Sequence, residues 1–94
     1  MSGFVGSRIT VTLQNKHGLH ARPAHLFVQT ANAYASALRV GRVDEAKVDG
    51  KSIIKIMSLA AEHGSVLELE SEGPDSDAQL RALQELIDSR FGED

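Results

Sequence analysis

Two hydrophobic periods alternate along this chain, and their order leaves few folds open. From Arg8 to Leu13 the apolar residues Ile9, Val11 and Leu13 are set against Arg8, Thr10 and Thr12, the two-residue period of a half-buried strand. After a turn over 14–19, Ala24, Phe27, Val28 and Ala31 recur at helical spacing within 21–33. Two short strands follow, around Leu38–Val40 and Ala46–Val48, joined near Asp44-Glu45 and ended by Gly50. Ser52 is placed to cap a short helix with Ile53, Ile56, Met57 and Ala60 on one buried face, stopped by His63-Gly64. Val66–Glu70 alternates again, and Gly73-Pro74-Asp75 turns the chain. Ser76 and Gln79 then form a capping-box pair for a last helix carrying Leu80, Leu83, Leu86 and Ile87. The order is β-α-β-β-α-β-α. In an α+β fold, a four-stranded antiparallel sheet with three helices on one face buries all these stripes at once.

Ninety-four residues make one domain, 1–94, of which 1–6 are small residues expected to form a loose tail. Met1–Leu13 lacks a basic region followed by an apolar stretch, so no secretory signal is expected, and no segment is long enough to span a membrane. The absence of cysteine rules out disulfides and thiolate metal sites, and it suits a cytoplasmic protein.

The net charge of −3 is unevenly spread. Residues 1–61 hold eight Lys/Arg against three Asp/Glu, and 62–94 hold two against ten. The basic part, with Lys16, Arg22, Lys47, Lys51 and Lys55, suggests a positive field facing an anionic ligand or an acidic partner. Phe4, Phe27, Tyr34 and Phe91 are scattered and offer no stacking platform, so direct nucleic-acid binding is not expected.

The string Gly18-Leu19-His20-Ala21-Arg22-Pro23 falls where a strand has ended and a helix begins. The first amides of a helix lack internal partners, and the helix dipole places partial positive charge there, so a phosphate is held well at that point. Arg22 adds a planar guanidinium suited to phosphate oxygens, and Pro23 costs no hydrogen bond in a first turn. Positive surroundings disfavour imidazolium, so His20 is expected neutral and able to attack phosphorus without a metal or other cofactor.

That string resembles the signature of HPr, the phosphocarrier family of the bacterial phosphoenolpyruvate-dependent sugar phosphotransferase system. The likeness extends through Val28-Gln29-Thr30-Ala31, Lys51-Ser52-Ile53, Met57-Ser58-Leu59 and Glu72-Gly73. It implies an open-faced β-sandwich, phosphorylation of His20 at Nδ1 and phosphate stabilisation by Arg22. It also implies a phosphorylated enzyme I as donor, enzyme IIA domains of sugar permeases as acceptors, and a monomer. Ala21, Ile53, Ile54, Lys55 and Met57 would then form the docking patch, with Ile54 facing outward. Ser52 matches a serine phosphorylated in many members by an HPr kinase/phosphorylase, which links them to a catabolite-control transcription regulator. A nitrogen-type phosphocarrier or a regulatory adaptor of the same fold shares these features, although retention of His20, Arg22 and Pro23 argues against an adaptor.

Two other motifs weigh less. Gly50-Lys51-Ser52 looks like the end of a nucleotide-binding loop, but Glu45 stands where that loop needs glycine. His17, His20 and His25 are spaced for no single helical face, so a zinc site is not expected. His17 reads as a loop residue, His25 as exposed on the first helix, and His63 as a residue at a helix C-terminus.

Overall fold

The computed structural model describes residues 6–93, so most of the expected tail lies outside the described residues. The elements are β1 (Ser7–Thr12), α1 (Ala21–Asn32), β2 (Ala37–Arg42), β3 (Val48–Asp49), α2 (Ile53–Ser58), β4 (Val66–Glu72) and α3 (Ser76–Asp88), with a terminal hook over Arg90–Gly92. The strands form one antiparallel sheet in the order β1-β4-β2-β3. The three helices cover one face, as the element order predicts.

Register explains which side is covered. Ile9 pairs with Leu69 and Val11 with Leu67, while Val40 meets Leu69 from the other side. Because side chains alternate, this register turns Leu67, Leu69, Leu38 and Val40 inward together, and a one-residue slip would expose them all. They pack against Phe27 and Ala31 of α1, Ile56 of α2, and Leu80, Leu83 and Ile87 of α3. Each fully buried residue of this size contributes about 1.5–3 kcal/mol.

The outer face carries the charges. Arg8 bonds Glu70, Lys47 bonds Glu68 at 2.9 Å, and Arg8 and Lys47 each also approach the other glutamate. The Lys47 hydrogen bond, together with the Lys47 and Arg8 charges, holds the Glu68 carboxyl below its usual range. The acidic residues of the second half therefore neutralise cations of the first. Lys47 does not join a free positive field, and Lys51 donates its ammonium to the Tyr34 carbonyl.

Several local expectations are corrected. Asp75, not Ser76, precedes α3, and no capping box forms there. Gln79 is buried instead, accepting from Ser71 Oγ and donating to the carbonyls of Ala31 and Ser36 at 3.0 Å each. The Asp75 carboxylate leaves its own helix to accept from Ala35 N, Ser36 N and Ser36 Oγ. The Ser36 hydroxyl and these amides lower its pKa. In α2 only Ile56 is buried; Ile53 and Met57 are exposed and Ala60 lies beyond the helix, because six residues span too few turns for a four-residue stripe. The helix ends before Ala60, whose φ is +50°, so His63 lies in a turn and not at a helix end. β3 begins at Val48, leaving Ala46 and Lys47 in the connection, with the turn at Asp44 as expected.

Candidate functional site

His20 ends a loop that is laced to its neighbour. Leu13 and Leu19 donate to Ser65 and Ala61, and Gly64 donates back to Leu13. Gly18 makes this approach possible: its φ is +64°, and a Cβ there would lie 2.3 Å from the Ala61 carbonyl oxygen. Leu19 is buried, so the following residue must turn outward.

His20 occupies the position before α1 with φ −77° and ψ −172°, and its carbonyl accepts the first helical bond, from Ala24. Its imidazole makes no capping bond and is 41% exposed. Among the described residues, the amides of Ala21 and Arg22 make no hydrogen bond. The Arg22 side chain, two residues from the ring, is exposed and has no partner among the described residues, and Pro23 is buried.

Two neighbours of the ring are not legible in the local motif. Glu93 reaches His20 Nε2 with a carboxylate oxygen at 3.2 Å, and its other oxygen accepts from Asn15 Nδ2 at 3.2 Å. The hook that delivers Glu93 is anchored by Phe91, which is 1% exposed. Asn15 is itself buried and also donates to the Gly18 carbonyl, so one amide ties the loop to the hook. His17 packs edge-on against His20 with ring centroids 5.7 Å apart. The expectation of purely positive surroundings is thus corrected: a carboxylate sits on the ring. An ionised carboxylate only accepts, so Nε2 carries a proton, and in the neutral ring this tautomer leaves the lone pair on Nδ1. Phe91, an aromatic residue after the last helical repeat, was the one local signal for the hook.

Of the other predicted site residues, Ile53, Ile54, Lys55 and Met57 are all exposed on α2, with Ile54 outermost at 77%. This helix packs beside α1, whose first residue, Ala21, is also exposed. Ser52 caps α2 with its Oγ, accepting from Lys55 N at 3.3 Å. His25 is exposed on α1. No helix among the described residues is long and apolar enough to cross a membrane.

A family model described as the PTS HPr component phosphorylation site matches residues 7–89. The chain is 51% identical over 85 residues to the phosphocarrier protein HPr of Pseudomonas aeruginosa, covering 90% of this chain and 94% of that protein. It is 38% identical over 86 residues to a multiphosphoryl transfer protein of Vibrio cholerae, covering 89% of this chain and 22% of that longer protein. Among solved structures, an HPr from Thermoanaerobacter tengcongensis superimposes with a TM-score of 0.89 at 48% identity, over 94% of this chain and 98% of that one.

Proposed function

Because the chain belongs to the HPr family, the phosphocarriers of the phosphotransferase system, we propose that His20 accepts a phosphoryl group from phospho-enzyme I and passes it to enzyme IIA domains of sugar permeases. The observation that carries this reading is the exposed His20 ring, held at Nε2 by Glu93 beside two unbonded amides of α1.

The chemistry follows from that arrangement. The Nδ1 lone pair attacks phosphorus as the bond from phosphorus to the donor's imidazole nitrogen breaks, and the donor ring leaves with that electron pair. Nε2 retains its proton, so the accepting ring gains positive charge, which the Glu93 carboxylate offsets. The transferred dianion meets the Ala21 and Arg22 amides and the Arg22 guanidinium. Return transfer runs through the same contacts, which suits a carrier that must release what it holds.

Ala21, Ile53, Ile54, Lys55 and Met57 form the docking surface, an apolar patch with a cation at its edge that suits an acidic partner. Ser52 is a regulatory site for an HPr kinase/phosphorylase, with a catabolite-control regulator as reader. Phosphate on its Oγ would place negative charge on the face that meets acidic partners. The whole chain, 1–94, works as one monomeric cytoplasmic domain. The multiphosphoryl relative, in which an HPr-like segment is part of a longer phosphoryl-transfer protein, supports partners of that class.

Incubation with enzyme I and phosphoenolpyruvate should label the chain in an acid-labile, base-stable form that maps to His20. A folded His20→Ala chain that labels as well as the parent would sink the proposal. Incubation with ATP and an HPr kinase should yield phosphoserine at Ser52, and failure to do so would remove the regulatory part alone. A nitrogen-type carrier would accept the label but transfer it poorly to sugar-permease IIA domains.

A further inference from the structure

Folding pairs off Arg8, Lys47 and Lys51, yet it leaves two cations converging on one hollow. A cleft of about 400 Å³ is lined by Gln14, Lys16, His63 and Arg90. A second, of about 260 Å³, shares Lys16 and His63 and is closed by His17 and Glu62. Among the described residues the Lys16 and Arg90 side chains make no hydrogen bond or ion pair, and no carboxylate lines the cleft that they share. Arg90 arrives there through a costly backbone: it and Phe91 have φ of +58° and +56°, values that L-residues adopt rarely. Phe91 gains burial in return. Arg90 stays exposed, and its side chain goes to the cleft wall.

From this we infer that the cleft of Gln14, Lys16, His63 and Arg90 binds a small multivalent phosphate anion, at a place separate from the amides and guanidinium that serve His20. The donor set defines the class. A guanidinium fork and a mobile ammonium are the two side chains that hold phosphate oxygens best, and the Gln14 amide can add a neutral donor, while the His63 Nδ1–H is already given to the Asn15 carbonyl. Two fixed positive charges ask for more than one negative charge. The volume lies in the range of small-ligand sites, roughly 300–1,000 Å³. Glu62 lines only the adjoining hollow, so the anion sits toward Arg90. The binding does not depend on the phosphocarrier reading, since no residue of the cleft accepts or donates a phosphoryl group.

The test is an amide-resolved NMR titration of the full chain with inorganic pyrophosphate, with sodium chloride of equal ionic strength as the reference. Saturable shifts centred on Gln14, Lys16, His63 and Arg90 are expected. Arg90→Gln and Lys16→Gln should each weaken binding about tenfold, the loss of one charge-assisted contact, while Arg81→Gln on α3 leaves it unchanged. The parent-like spectra of these surface variants would show that each is folded. Shifts that do not saturate, that sodium chloride reproduces, that centre on Ala21 and Arg22, or that survive both substitutions would overturn the inference.

Discussion

Replacing Gly18 by alanine tests the packing that presents His20. Two costs are separable in the structure. The first is the left-handed backbone at φ +64°, which costs a residue with a Cβ about 1–2 kcal/mol. The second is steric. The new methyl would lie 2.3 Å from the Ala61 oxygen and 2.6 Å from Glu62 Cα, both backbone atoms that cannot swing aside. Restoring ordinary contact requires the two loops to part by about an ångström, which stretches the 2.9 Å bond from Leu19 N to Ala61 O. Leaving that buried amide unsatisfied costs about 1–3 kcal/mol. The sum, about 2–5 kcal/mol, is a large share of the stability of a small domain.

Gly64 isolates the first cost, because its φ is +86° and a Cβ there would meet nothing within 4 Å. Gly64→Ala should therefore lose only the conformational part. In urea unfolding with an m-value of about 1–2 kcal/mol/M, the Gly18→Ala midpoint should fall by roughly 1–5 M, clearly more than that of Gly64→Ala. The phosphorylation rate of His20 should drop in the variant that remains folded, since the ring rides on the displaced loop. Equal midpoints for the two variants would refute the steric argument.

Gln79→Leu should destabilise the fold by about 2–5 kcal/mol in the same assay, because it strips donors from two buried carbonyls and an acceptor from the Ser71 hydroxyl. Glu93→Gln should raise the share of the His20 tautomer protonated at Nδ1, read by nitrogen NMR, and slow phosphoryl acceptance about three- to tenfold; unchanged tautomer and rate would show that the contact with Nε2 does nothing. Arg22→Ala should slow transfer while leaving the unfolding midpoint within error of the parent, since its side chain has no partner among the described residues. Asp75 predicts a pH effect. Its carboxyl is lowered in the folded chain, so below the ordinary value of 3.8 the unfolded chain takes up the proton first and stability declines until the folded carboxyl protonates too. Asp75→Asn should flatten that acid limb, and an unchanged slope would show that the Ser36 and Ala35 bonds do not matter there.

The amino-acid pattern determined by itself where strands and helices lie, which face of each is apolar, and where a histidine meets a helix start. These are properties of neighbours. Alternation in Arg8–Leu13 and Val66–Glu70, and helical spacing from Ala24 to Ala31, are written within a few residues, and the motif around His20 spans six. Ser52 as a cap was legible for the same reason, since its partner, Lys55 N, is three residues away.

What only the tertiary structure decided depends on the path of the chain. Glu93 lies 73 positions from His20, Lys47 pairs with Glu68 across the sheet, and Gln79 serves carbonyls on α1 and before β2. No local period encodes which distant groups a turn will bring together. For Gln79 the tertiary demand overrode the local one: a buried amide that serves the Ala31 and Ser36 carbonyls and the Ser71 hydroxyl together is worth more than an exposed helix end gains from a capping box. The same holds at α2, where a stripe that reads as core is left in water because the helix is too short to turn it inward.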